Sequence, residues 1–318
     1  MRALVLRILW KKRGPNLKIY VHGHAKSLHK VLEAAGELTQ SALDADVLHV
    51  INPDASAFDL IQNHPGKSVV AHFTANPVTF FEQNAGLYTA AEDWFCVVSS
   101  NEAKQALEAL GLSRVWHIAP ALNASDFKVI YPQTDKKLIG FYADQLEITQ
   151  RGADVFEAII HGLAKRVGPD AFELVMFGET SWIATRMANH GVNIVETTWF
   201  HDDMNIFLHT PRWDAGNPIL QEIVAAKKKV VSTAVGQALD LLEPASLFRS
   251  VSEAIDILEG EIKNQSLDST VEPQYQRLLQ NYSLDTVSKS WKAFYSEISR
   301  MKNTVPEKRT SPASTLEA

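Results

Sequence analysis

Residues 212–236, RWDAGNPILQEIVAAKKKVVSTAVG, pass from a turn-forming loop into a helix and out into a strand. The Ala-Gly-Asn-Pro run breaks regular structure. Asn217 is then a good N-cap, and Pro218 suits a first helical turn, where its missing N–H costs nothing. The pattern predicts a helix over 218–228 followed by a strand over 228–235, where Val230 and Val231 open a β-rich run.

The same alternation extends outward on the N-terminal side. KLIGFYA (137–143), FELVMFG (172–178), NIVETTW (193–199) and DDMNIFLHT (202–210) read as strands, with helices expected through 152–167 and around 182–191. An earlier series repeats the theme: strands at 46–52, 68–74, 94–100 and 114–120, and helices over 56–64, 80–92 and 101–111. Strands alternating with helices imply βαβ units and parallel sheets, so the fold class is α/β. Residues 121–137, ALNASDFKVIYPQTDKK, interrupt the alternation with polar and turn-forming side chains and read as a linker. The expected division is therefore an N-terminal domain over 1–120, the linker over 121–137 and a C-terminal domain over 138–280. The three- and four-residue apolar spacing over 272–299 reads as a packed pair of helices, with a C-terminal helix over 281–302 expected to pack back toward the N-terminal domain, ahead of a polar tail over 303–318 expected to be disordered. In doubly wound sheets ligands lie at the carboxyl ends of the strands, which puts the expected cleft between the domains.

Composition excludes several classes. At 318 residues with 46% hydrophobic and 21% charged, the chain is long enough for two cores and unlike a disordered or membrane-spanning protein. A net charge of −6 disfavours sequence-independent binding to bulk nucleic acid. The single cysteine, Cys96, sits in an apolar run, so no disulfide framework exists and a buried, inert thiol is expected. MRALVLRILWKKRG lacks the features of a secretory signal, and the expected location is the cytoplasm. Its Arg2, Arg7, Lys11, Lys12 and Arg13 leave open a peripheral contact with the inner face of a membrane. No cluster has metal-ligand spacing, so no metal and no tightly held cofactor are expected.

The helix start at Pro218 presents amide donors and a partial positive charge, a combination suited to phosphate. Gly216 and Ala215 would let a bulky anion approach the backbone. Asp214 and Glu222 flank that position. Because carboxylates repel phosphate, their natural partners there are neutral hydroxyls, as on a sugar and a ribose. The plainer alternative is that the two acids only offset the helix dipole, an effect of about 0.3 to 1 kcal/mol.

The quoted segment resembles the donor-binding motif of the retaining, metal-independent GT-B glycosyltransferases of family four, the glycosyl transferases group 1. Asp214 falls on the first acid of that motif and Glu222 on the second. Other stretches match in order: LIGFYADQLEITQRGADVFEAI and ELVMFGE in the second half, VVAHFT, VVSSNEAKQAL and HIAPALNASDF in the first, and SLDTVSKSWKAFYSEI at the closing helix. The resemblance spans about residues 69–300 and is most specific over 138–240. It implies a GT-B fold, two Rossmann-like doubly wound domains facing across a cleft. It also implies transfer of a sugar from a nucleoside diphosphate-sugar, the donor substrate, with retention of configuration.

Carried over residue by residue, the resemblance assigns catalysis to Asp214, Arg151 and His72. Asp214 would contact the transferred sugar, Arg151 would neutralise the diphosphate, and His72 would face the sugar. Donor binding falls to Glu222 on the ribose, to the Ala215, Gly216 and Asn217 backbone, and to Gly152, Glu179, Trp199 and Asp203. The chain departs from the pattern at Asp144, which replaces a common arginine, in the shortening of the first acid to aspartate, and at Ala215 and Asn217. The alternative is a degenerate GT-B protein that binds a nucleotide sugar or stabilises a partner without catalysis. The acceptor is left open: saccharide, lipid-linked saccharide, protein, small metabolite or modified DNA base.

Overall fold

The computed structural model describes residues 17–23, 26–132, 134–143, 149–178, 181–195, 201–214, 216, 218–263 and 268–304. Two six-stranded sheets carry the chain in succession. The first holds β1 (Lys18–His22), β2 (Glu37–Leu38), β3 (Val47–Ile51), β4 (Ser68–Phe73), β5 (Phe95–Val98) and β6 (Val115–His117). Their spatial order is β2-β1-β3-β4-β5-β6, and every pairing is parallel. Helices α1 (Lys26–Ala35), α2 (Ala55–Asn63), α3 (Pro77–Gln83), α4 (Tyr88–Ala91) and α5 (Asn101–Ala109) make the crossovers. β3 and β5 are buried at every position, as parallel strands covered on both faces must be.

The second sheet holds β7 (Lys137–Ala143), β8 (Phe172–Gly178), β9 (Asn193–Val195), β10 (Ile206–His209), β11 (Lys229–Thr233) and β12 (Leu247–Phe248). Its order, β9-β8-β7-β10-β11-β12, is again wholly parallel and is that of a doubly wound dinucleotide-binding sheet. Helices α6 (Ala153–Val167), α7 (Ser181–Asn189), α8 (Pro218–Ala225), α9 (Gln237–Leu241) and α10 (Val251–Ile262) connect and cover it. The strand order reverses between β7 and β10, which makes the loops leaving those two strands the ones that open a crevice.

Two more helices follow, α11 (Asp268–Tyr282) and α12 (Leu284–Thr304). α12 sends Val287, Trp291, Phe294, Tyr295 and Ile298 into the core of the first sheet, beside Ile19, Val47, Val70 and Phe95. The last helix thus packs on the half that the chain left much earlier. Contacts also bridge the halves across the crevice: Asp240 accepts from the Asn101 amide and side chain at 2.9 Å each, and Glu102 accepts from the Gly236 amide at 2.5 Å. Of the polar tail expected to be disordered over 303–318, residues 303 and 304 instead continue α12, and 305–318 lie outside the described residues.

Two helix boundaries differ from those expected. The single helix over 80–92 is instead two, α3 and α4, joined by a 3-10 turn at 85–87. It starts earlier because Asn76 accepts from the Val78 and Thr79 amides and Pro77 fits the first turn, and it stops where the Asn84 side chain caps the Phe80 carbonyl. α8 does begin at Pro218, but ends at Ala225 rather than at 228. Lys227 adopts a left-handed φ of 53°, which terminates the helix and lets Lys228 turn inward to the carbonyls of Ile130, Asp202 and Met204.

Candidate functional site

A cavity of about 300 Å³ lies where the carboxyl ends of both sheets meet. The first half contributes Asn52, after β3, and Thr74 to Asn76, after β4; the second contributes Gln150 and Arg151, after β7, with Trp213, Asp214, Gly216 and Pro218, after β10. The second-half residues come from the two loops that flank the reversal in strand order. The topology, not the spacing along the chain, brings Arg151 and Asp214 together.

The loop after β7 is fastened to the loop after β10. Thr210 donates its hydroxyl to the carbonyls of Arg151, at 2.9 Å, and Gly152, at 3.0 Å, while the Arg212 amide donates to Gln150 at 2.9 Å. Gly152 is required here: its φ is +66°, and a Cβ would stand 1.9 Å from the Thr210 carbonyl oxygen. α6 starts at the next residue, so Gly152 fixes where Arg151 leaves the backbone. The guanidinium lies over the Tyr142 ring at 5.8 Å, a contact that suits its flat, delocalised charge.

Asp214 is almost wholly buried. One carboxylate oxygen accepts the Gly216 amide at 3.0 Å; the other lies 3.4 Å from Nε2 of His209, the last residue of β10 and equally buried. These contacts fix the carboxylate before any ligand arrives. Gly216 is a point of close approach between the halves: at its φ of +110°, a Cβ would meet Ser99 Cβ at 2.4 Å. Its bare face is therefore covered by the first half of the chain.

His72 lines an adjoining, mainly apolar cavity of about 90 Å³ that shares Thr74 and Gly216 with the larger one. Burial pushes its pKa down to about 4, so the ring is neutral at pH 7. Asn52 holds the first-half rim. With a left-handed φ of 46°, its side chain donates to Thr74 Oγ1 at 2.6 Å and accepts the amides of Thr74 and Ala75 at 2.8 and 3.2 Å.

Glu222 does not line either cavity. It follows Pro218 by four residues and so lies on the same face of α8, with Oε2 3.1 Å from His201 Nε2. The His201 ring meets Phe127 edge-on at 5.3 Å. Asp203 is half-buried in the same 201–204 segment. Ala215, Asn217, Glu179, Trp199 and Asp144 lie outside the described residues. Arg212 ion-pairs with Asp154 at the surface and is not among the cavity-lining residues.

Sequence reasoning missed Asn52, His209 and the partners of His72. Asn52 follows β3 directly and His209 ends β10, so both sit at the carboxyl end of a strand, the one place where the pattern directs attention. Among the described residues no group of three or more His, Cys, Asp and Glu side chains is placed to hold a metal ion, and no helix is long and apolar enough to cross a membrane.

No protein-family model matches the sequence, and no curated protein matches it. Solved structures do. A glycosyltransferase from Rickettsia africae aligns at a TM-score of 0.64 with 15% identity over 93% of this chain and 92% of its own. HepE from Anabaena, in complex with UDP and glucose, aligns at 0.65 with 11% identity over 88% of this chain and all of its own. Staphylococcus aureus TarM, in complex with fondaparinux, alpha-GlcNAc-glycerol and UDP, aligns at 0.63 with 12% identity over 78% of this chain. The alignment spans 55% of TarM, about half its length. Likeness at this level of identity concerns architecture, and together with the two facing parallel sheets it establishes that the chain has the GT-B fold.

Proposed function

We propose that the chain is a glycosyltransferase that moves a sugar from a nucleoside diphosphate-sugar to an acceptor with retention of configuration and without a divalent ion. The observation that carries this reading is the meeting of Arg151 and Asp214, from the two loops flanking the strand-order reversal, in one cavity that ends at the first turn of α8. A cation and a helix start suit a diphosphate; a fixed, buried carboxylate beside them suits hydroxyls of the attached sugar. The UDP described in HepE and TarM, and the glucose in HepE, support a donor of this class.

In the proposed reaction the bond from the anomeric carbon to the diphosphate oxygen breaks, and the acceptor oxygen bonds to that carbon from the same face. The acceptor proton passes to the departing diphosphate. Arg151 and the amides at the start of α8 stabilise the charge that develops on the diphosphate, the kind of fixed electrostatic contribution that is often the largest in catalysis. Asp214 orients the sugar, and Glu222, on the same face of α8, binds the ribose. Incubation with a panel of nucleotide sugars, with release of nucleoside diphosphate measured over hours, tests the reading. Slow hydrolysis of one donor is expected; binding without consumption would favour a non-catalytic GT-B protein, and neither would refute the site.

A further inference from the structure

His72 and two buried side chains behind it form a row that spans two strands and the last helix. Tyr295, on α12, has its hydroxyl 2.5 Å from Nδ1 of His49 on β3. His49 Nε2 lies 3.3 Å from His72 Nδ1 on the neighbouring strand β4. Tyr295 and His49 are 1% and 0% exposed, so bulk solvent does not reach either side chain. Trp291 packs against both imidazoles, with ring centroids 5.2 and 5.3 Å away.

The direction of this row follows from counting protons. Tyr295 has one hydroxyl proton, and among the described residues His49 is the hydrogen-bond partner of that hydroxyl. Were His49 to donate from Nδ1, the phenol proton would be buried without an acceptor, a loss of about 1–3 kcal/mol. The phenol therefore donates to Nδ1. A neutral imidazole that accepts at Nδ1 carries its own proton at Nε2, so His49 donates to His72 Nδ1. His72, accepting at Nδ1, must then carry its proton at Nε2, the nitrogen left for the cavity.

We propose that Tyr295 and His49 are positioning residues that hold His72 as the Nε2–H tautomer, so that it offers the cavity a hydrogen-bond donor. His72 in this state meets an oxygen lone pair on its ligand and does not remove a proton from it. The burial that keeps the ring neutral agrees with this, since an imidazolium would donate from both nitrogens. The assignment of a ligand to His72 rests on the glycosyl-transfer reading; the tautomer does not.

Long-range proton–nitrogen correlation spectra of the uniformly ¹⁵N-labelled full chain read both rings directly, with His72 and His49 assigned by their loss in His72→Gln and His49→Leu. The wild type is expected to show His72 protonated at Nε2 alone. Tyr295→Phe removes the donor at the head of the row and should give mixed tautomers at His49 and His72. If that variant does not fold, His49→Leu should release His72 in the same way. Nδ1 protonation of His72 in the wild type, or tautomers unchanged in the variants, overturns the proposal. Where the wild type turns over a donor, Tyr295→Phe should lower kcat about tenfold with donor affinity unchanged, the scale of one neutral hydrogen bond. A wild type that consumes no donor removes the proposed reaction and leaves the spectra to decide the tautomer.

Discussion

Asp214 Oδ2 lies 3.4 Å from His209 Nε2, and both side chains are almost completely buried at the mouth of the crevice. The carboxylate has a further anchor on the Gly216 amide, so it cannot swing toward solvent. Asp214→Asn keeps the shape of this arrangement and removes its charge. Donor turnover is expected to fall by about 10² or more, while donor affinity changes by less than tenfold, as for a group whose effect is concentrated in the transition state. Initial-rate kinetics beside calorimetric titration separate the two quantities. An equal loss in both would make Asp214 a ground-state contact only.

Glu222 is half-exposed and paired with His201, one turn inside α8. Glu222→Ala should weaken nucleoside diphosphate binding about tenfold or more, since a lost charge-assisted hydrogen bond exceeds 1.4 kcal/mol per decade. Calorimetry of the diphosphate alone measures this. An unchanged dissociation constant would remove Glu222 from the ribose.

Gly152→Ala places a methyl group 1.9 Å from the Thr210 carbonyl at a left-handed φ. The expected cost is about 1–3 kcal/mol in urea unfolding, with turnover falling as well because Arg151 leaves its place. Arg151→Ala, at a residue that lines the cavity, should instead lower turnover by about 10² with an unfolding midpoint near that of the wild type. If the two variants lose stability equally, Arg151 is a structural residue.

His72 makes stability depend on pH in one direction. Its folded pKa of about 4 lies below the ordinary 6.5, so between those values the unfolded chain binds more protons than the native one. Stability therefore rises with pH across this window, is complete above 6.5, and is lost as pH falls toward 4. The contribution of this one group is about 3 kcal/mol at most. Urea midpoints measured across the window for wild type and His72→Gln isolate it; the variant should show the shallower slope, and parallel curves would contradict the burial assigned to the ring.

Cys96, buried in β5 with its thiol pushed up to about 12, should not react with an aromatic disulfide reagent at pH 8 until the chain unfolds. The rate of modification as urea is added should follow the unfolding curve. Rapid reaction in buffer alone would mean that the first sheet opens locally.

Much of the fold was legible along the chain. The alternation of short β-rich runs with helices pointed to parallel sheets, because parallel strands need a crossover connection and a helix is the usual one, and the interruption at 121–137 lay between two such series. Pro218 announced the start of α8 through its missing N–H, and the quoted segment led to Asp214. The helix broken at Asn84 and the early end of α8 were not legible. A side-chain cap and a left-handed lysine act at single residues, below the level at which hydrophobic periodicity carries information.

By itself, then, the sequence determined the class of fold, two doubly wound halves, and the helix start at Pro218 with acids on either side, since periodicity and local capping chemistry are properties of neighbouring residues. Tertiary structure decided which of those residues meet. Arg151 and Asp214 line one cavity because the strand order reverses between β7 and β10, and Ser99 covers Gly216 because the two sheets face each other. Tyr295 reaches His49 across 246 residues because α12 packs back on the first sheet. Contacts at such separations are fixed by the packing of whole elements, for which no short stretch of sequence carries a sign.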